Sequence, residues 1–137
     1  MHMIDNIGVI KASEETAETL KKSLWIMPTP TKGFYLVDLK RKFNKKILAN
    51  NGVIYVLSVW TDYFGGAGEQ GSTLIHVTNL YNERERPKRF PSINKGLLGL
   101  GFDIDSDLQP NTDPFDSIGL GEFRDYEDFV KEIKRRC

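Results

Sequence analysis

The sequence predicts an α+β fold, in which a central, mostly antiparallel sheet is built around strand 53–60 and helices pack on that sheet. The run from Val53 to Trp60 is apolar at nearly every position, so both faces of this strand require a cover. A second β-branched run, 72–78, follows a connection that contains four glycines. Apolar residues recur at helical spacing on both sides of this pair, and we expect the C-terminal third to be mostly helical.

The first third of the chain contains signals for two strands and two helices. Residues 7–10 predict a short edge strand. Ser13 suits an N-cap, and the helix behind it has inward residues at helical spacing: Ala17, Leu20 and Leu24. Pro28 and Pro30 exclude a helix from the next connection, and residues 34–39 predict a strand. Residues 40–50 predict a helix that ends at Asn51-Gly52, with three inward residues: Phe43, Ile47 and Leu48.

The second half predicts helices with short connections. Residues 81–91 are polar and basic, which favours an exposed loop. Ile93 and Leu97 begin a short helix that Gly99 and Gly101 should end. Further helix starts are predicted at two acidic caps: Asp113 and Asp125.

Composition favours one soluble domain covering residues 1–137. The 19 basic and 19 acidic residues give a net charge of zero, so no overall field favours nucleic acid or a membrane surface. Cys137 is the only cysteine, which excludes an internal disulfide and suits a reducing compartment. Residues 1–3 are interpreted as partly a cloning remnant, and no signal peptide or membrane span is visible. We therefore expect a cytoplasmic protein.

The glycine-rich connection fits a hairpin better than a nucleotide site. Gly66, Gly68 and Gly71 have the spacing of a dinucleotide fingerprint, but that motif requires a helix directly behind it. Here the β-branched run follows, and Glu69 would place a negative charge beside the phosphates. A glycine-rich link between two strands is the preferred interpretation, and nucleotide binding remains an alternative.

Two sequence blocks resemble a known family. The first is Tyr63-Phe64-Gly65-Gly66-x-Gly68-x-Gln70, directly after a hydrophobic strand. The second is Ile93-Asn94-x-x-Leu97-x-x-Leu100-Gly101, followed by a patterned stretch over residues 115–128. In order and spacing they are similar to small bacterial immunity proteins, the antidotes encoded beside polymorphic and contact-dependent growth inhibition toxins. The similarity covers roughly residues 53–128.

The resemblance implies a binding protein without chemistry of its own. Its partner would be a cognate toxin C-terminal domain, which it would inhibit by direct, tight binding. No cofactor, metal, small molecule, membrane or directly bound nucleic acid is expected. The shared motif residues are expected to form the scaffold: Tyr63, Phe64, Gly65, Gly66, Gly68 and Gln70.

Acidic residues give the candidate partner-binding surface. They are Asp103, Asp105, Asp107 and Asp113, with Glu69 as a possible addition from the hairpin. The spacing begins like a calcium loop, but Leu108 and Pro114 occupy positions that require glycine and glutamate. An acidic surface would complement a cationic site on a partner, whereas the simpler interpretation is a solvated acidic face.

Nucleic-acid binding and catalysis are two further functions with weaker support in the sequence. The basic cluster within helix 40–50 could bind nucleic acid, although a solvated helix face is the preferred interpretation. His76 lies in a predicted strand, where a hydrogen-bonded imidazole is the ordinary outcome, so catalysis has little support. We therefore predict that the chain is not an enzyme.

Overall fold

The computed structural model describes residues 4–41, 43–61, 70–77 and 86–108, together with residues 117 and 131. Its strands are β1 (Ile4–Lys11), β2 (Ile26–Pro28), β3 (Phe34–Asp38), β4 (Tyr55–Thr61), β5 (Gln70–His76) and β6 (Lys88–Phe90). Its helices are α1 (Glu14–Leu20), α2 (Phe43–Asn50), α3 (Ile93–Leu100) and α4 (Ile104–Asp107). The predicted α+β class is confirmed.

The six strands form one sheet in the order β2-β3-β1-β4-β5-β6, and each neighbouring pair is antiparallel. Strand β4 pairs with both β1 and β5, as expected for the strand around which the sheet is built. Strand β1 also lies inside the sheet, so the prediction of an edge strand at residues 7–10 is wrong. The polar pair Asp5-Asn6 interrupts the apolar pattern, so the first half of this eight-residue strand was not predicted.

Helices cover both faces of the sheet, as the apolar character of β4 predicted. One face is covered by α3, whose Ile93 and Leu97 are fully buried with Leu57 of β4. The opposite face is covered by α1 and α2, which contribute Leu20 and Leu48 to a second core cluster. Full burial of one such side chain stabilises the fold by about 1.5–3 kcal/mol, so the two clusters hold the three layers together.

The helix ends follow local sequence signals. The Ser13 hydroxyl caps α1 by accepting a hydrogen bond from the Thr16 amide at 3.2 Å. Behind α2, Gly52 has a φ of 82°, the left-handed conformation predicted for Asn51-Gly52. Helix α3 ends at Gly101 with a φ of 109°, again as predicted. Gly99 lies within the helix, however, so its predicted role as a stop is wrong.

Helix α2 turns a different face to the sheet than its apolar pattern indicated. Its buried residues are Asn44 and Leu48, whereas Phe43 is 63% exposed and its predicted inward position is wrong. Asn44 faces inward because its side-chain amide donates a 2.6 Å hydrogen bond to the Asp38 carbonyl at the end of β3. The inward position on α2 that the apolar pattern assigned to Phe43 is therefore occupied by the polar residue Asn44.

The remaining predictions concern the second half. The predicted loop 81–91 contains the edge strand β6, where Arg89 pairs with Thr73. Helices α3 and α4 supply helical structure between residues 93 and 107. The helix starts predicted at Asp113 and Asp125 lie outside the described residues. None of the helices described is long and apolar enough to cross a membrane.

Candidate functional site

The first turn of α3 is bound to strand β5 by two polar side chains. The Gln70 side-chain carbonyl accepts a hydrogen bond from the Ile93 amide at 2.9 Å. The Ser72 hydroxyl donates to the carbonyl of Ser92, the N-cap residue, at 2.9 Å. Ser72 is only 2% exposed, so its hydroxyl needs a partner inside the protein. The bond to Gln70 satisfies an amide that a helix start leaves unpaired, and both bonds fix the position of α3 on the sheet.

Two glycines allow α3 to lie directly on the sheet. A Cβ at Gly96 would stand 2.0 Å from the Ser72 hydroxyl and 2.8 Å from the Leu57 side chain. A Cβ at Gly99 would stand 2.7 Å from the Phe90 ring of β6. The helix therefore approaches β5 and β6 more closely than any larger residue at these positions permits.

The contact at the start of α3 joins the two sequence blocks that resemble immunity proteins. Gln70 closes the first block and Ile93 opens the second, so a side chain of one block binds the backbone of the other. Leu97 of the second block is fully buried, and Gly101 provides the left-handed turn. The other residues of the first block lie outside the described residues: Tyr63, Phe64, Gly65, Gly66 and Gly68.

The acidic segment behind α3 is a short helical turn, α4, rather than an irregular loop. Asp103 is its N-cap and accepts a hydrogen bond from the Asp105 amide at 2.9 Å. The Asp107 carboxylate accepts one from the Asp103 amide at 2.8 Å. The carboxylates of Asp103 and Asp107, two of the predicted partner contacts, therefore accept hydrogen bonds from backbone amides of their own turn. Asp105 is exposed, and no such bond to its carboxylate is found within residues 86–108.

Three contacts fix this acidic turn against the end of the sheet. Phe102 is 3% exposed and packs on Phe34, with ring centroids 5.5 Å apart. The Lys11 ammonium donates to the Gly101 carbonyl at 3.3 Å and lies 5.7 Å from the Phe34 ring centroid. The buried Thr31 hydroxyl donates to the Ser117 carbonyl at 2.7 Å and lies 3.4 Å from the Asp107 carbonyl. These contacts hold the turn against the sheet.

The other two acidic candidates, Asp113 and Glu69, lie outside the described residues. Gln70, the described neighbour of Glu69, lies at the first turn of α3, and the acidic turn follows the last. An eight-residue helix is about 12 Å long, so Gln70 and the acidic turn are at opposite ends of α3.

The basic cluster at α2 is largely exposed, as expected for a solvated face. Lys40, Arg41 and Lys46 are exposed and Lys45 is half-buried, while Lys42 lies outside the described residues. The Lys46 ammonium lies 5.8 Å from the centroid of the exposed Phe43 ring. An aromatic ring among cations was not predicted, because Phe43 was assigned to the core.

His76 and Tyr35 are two further ionisable residues in the described part of the sheet. His76 packs edge-on against Tyr55, with ring centroids 4.8 Å apart. Burial, followed by the charges of Glu14 and Glu18, raises the pKa of Tyr35, which lies in the core beside α1. Across the described ranges, no group of three or more His, Cys, Asp or Glu side chains is placed to hold a metal.

Sequence reasoning missed the residues that position α3 and the acidic turn. Ser72, Lys11 and Thr31 act over 20, 90 and 76 residues of sequence, respectively. No local pattern marks such contacts. The capping by Asp103 does have a local signal, since aspartate before a short helical turn is a preferred N-cap.

Comparisons of the chain with protein-family models, with curated proteins and with solved structures give no match in any of the three. The resemblance to immunity proteins therefore depends on the residues of the two blocks alone.

Proposed function

We propose that this chain is an immunity protein that neutralises a cognate bacterial toxin domain, a nuclease, by direct and tight binding. The proposal includes a cytoplasmic location and a mostly helical C-terminal third. One observation carries it: the two separate blocks that resemble immunity proteins meet in the fold, through the Gln70 side chain and the Ile93 amide. A motif whose halves bind each other is under a single structural constraint, which supports its use as a family signature.

The acidic turn supports a nuclease as the target. A nuclease cleft must be basic to hold phosphates, and an acidic protein surface meets such a cleft with complementary potential. Such complementarity accelerates association and keeps the nucleic acid out. Asp103 and Asp105 are both exposed and sit on a turn that packing and hydrogen bonds hold in place.

The test is protection by co-expression. The C-terminal domain encoded by the upstream neighbouring gene should arrest growth alone, and co-expression of this chain should restore growth. The purified proteins should form a one-to-one complex in calorimetry. An unrelated toxin domain of the same reaction class, which the chain should neither bind nor block, serves as the control. Growth arrest that persists with folded, expressed chain would overturn the proposal.

Nucleic-acid binding through α2 remains the second candidate, and the exposed Phe43 beside Lys46 favours it. Aromatic rings beside cations are the elements that stack and hold single-stranded nucleic acid. In a gel-shift assay, a salt-sensitive shift by the wild-type chain that is lost in Phe43→Ala would support this alternative. No shift at low salt would exclude it.

A further inference from the structure

We propose that the partner docks on the outer surface of α3 and α4, with Leu98 and Ile104 as apolar anchors and Asp105 as the contact for a cationic group. This inference rests on the proposed function and identifies the surface through which it acts. The occupant is the cognate toxin domain, which would present apolar surface bordered by lysine or arginine.

The side chains of Leu98 and Ile104 have no role in the core. The large hydrophobic residues that are exposed in the described part of the chain are Trp25, Phe43, Ile54, Tyr55, Trp60, Leu98 and Ile104. Leu98 is 44% exposed and Ile104 is 49% exposed, and neither belongs to a core cluster. Ile93, Leu97 and Phe102 already anchor the segment, so the fold does not require apolar residues on its outside.

Most of the other exposed rings have a partner within the chain. Trp60 covers Gly71, since a Cβ there would stand 2.5 Å from the indole nitrogen. Tyr55 packs on His76, and Phe43 lies under Lys46. Trp25 also has a contact of its own. Apart from Ile54, the exposed residues that lack such a role are therefore the two in the α3–α4 segment.

Leu98 and Ile104 are close enough in the chain to belong to one interface of standard size. Leu98 and Ile104 are six residues apart, so their Cα atoms lie within about 20 Å of each other. A standard interface covers about 800 Å² on each partner, which is wide enough to include both. Energetically dominant contacts are typically a few desolvated side chains surrounded by a polar rim. Two apolar side chains with Asp103 and Asp105 nearby match that arrangement.

The charge of the acidic turn and its fixed position also favour docking on this surface. Asp103 and Asp107 bind the backbone of their turn, whereas within residues 86–108 no such bond to the exposed carboxylate of Asp105 is found. A cationic group complements it. The turn is already fixed by Phe102 and by the Lys11 contact to Gly101, so docking would cost little conformational entropy. Ile54, by contrast, lies between α2 and β4, and residues 49–61 of the sequence contain no acidic residue.

Binding kinetics against the purified toxin domain test the inference. Leu98→Ala and Ile104→Ala should each raise Kd by about tenfold or more, mainly through faster dissociation. Asp105→Asn should slow association and flatten its salt dependence. The matched controls lie elsewhere on the surface. Ile54→Ala truncates an isoleucine that is 52% exposed, and Glu15→Gln removes an exposed acid from α1; both should bind like wild type.

The outcomes separate the two proposals. Absence of any complex with the wild-type chain overturns the proposed function and this inference together. A tight wild-type complex that both alanine variants match overturns the inference alone. If a variant melts early, hydrogen exchange on the wild-type complex decides: new protection at residues 98–107 supports the inference, and protection confined to α2 or β6 overturns it.

Discussion

The two ends of α3 differ in what holds them. The first turn is bound by Gln70 and Ser72, side chains from a strand more than 19 residues earlier in the sequence, and both bonds lie between helix and sheet. Beyond the last turn, the left-handed Gly101 and the Asp103 cap set the local conformation, and the distant residues Lys11 and Phe34 hold that turn against the sheet. The distant contacts set where the helix lies. The local ones set how the acidic turn is displayed.

This difference separates the first turn of α3, which fixes the fold, from the acidic turn, which belongs to the proposed interface. Substitutions at the first turn should disturb the position of the whole helix, because two part-buried hydrogen bonds and a close glycine contact depend on it. Substitutions on the acidic turn should leave the sheet intact, because its outward residues are exposed. The variants below test this division, from the largest expected effect to the smallest.

The largest effect is expected for Gly96→Ala. Alanine favours helices over glycine by about 1 kcal/mol, so without a clash it would stabilise α3. Its Cβ would stand 2.0 Å from the Ser72 hydroxyl, however, and that hydroxyl is held by Ser92. Overpacking of this kind costs about 1–3 kcal/mol, and we expect net destabilisation in urea unfolding.

Gly99→Ala is the control for this variant. Its Cβ would meet only the far edge of the Phe90 ring, a partly buried side chain on the edge strand. We therefore expect a smaller loss of stability than for Gly96→Ala. An equal or larger loss would show that the close contact of α3 is not concentrated at its first half.

The next effect is expected for Gln70→Ala, which removes the acceptor for the Ile93 amide. Loss of a part-buried hydrogen bond that leaves its donor unpaired costs about 1–3 kcal/mol in the free energy of unfolding. Gln70→Glu keeps an acceptor oxygen and places a negative charge at a helix N-terminus, so it should retain most of the stability. If the alanine variant melts like wild type, the bond between the two sequence blocks is not structural.

The sequence predicted the local part of the fold well. Strand β4, the Ser13 cap and the left-handed glycines Gly52 and Gly101 follow from residue type and spacing alone. The order of strands did not follow, because the insertion of β1 between β3 and β4 is decided by pairing across the chain. Phe43 was misplaced for a similar reason: the hydrogen bond of Asn44 to Asp38 outweighs hydrophobic pattern at that turn.

The candidate site was predicted in composition but not in geometry. Acidic residues at 103, 105 and 107 were singled out as a group of equivalent charges. The structure makes them unequal, because two carboxylates serve the backbone and Asp105 does not. The exposure of Leu98 was not predicted, since exposure of one side of a short helix depends on how the helix sits on the sheet. That placement is set by contacts that no sequence window contains.

A moderate effect is expected at the acidic turn when its acids are compared. Asp103→Ala removes the N-cap of α4 and should cost about 1 kcal/mol of stability. Asp105→Ala removes an exposed carboxylate and should change stability by less than about 0.5 kcal/mol. Thermal melting of the two variants at one protein concentration tests this. Equal losses would mean that the cap does not stabilise the turn.

The smallest effect concerns the charges at the two ends of α3, and here the signs should differ. The Lys11 ammonium donates to the Gly101 carbonyl at the negative end of the helix dipole, whereas Lys95 lies exposed in the first turn, at the positive end. A favourable charge at a helix end contributes about 0.3–1 kcal/mol at low salt. Lys11→Gln should therefore lower stability slightly, and Lys95→Gln should leave it unchanged or raise it. Because salt screens exposed charges, both differences should shrink in urea unfolding at about 1 M sodium chloride. Losses of the same sign and size for both variants would show that the dipole does not distinguish the ends, and that Lys11 acts only through its packing on Phe34.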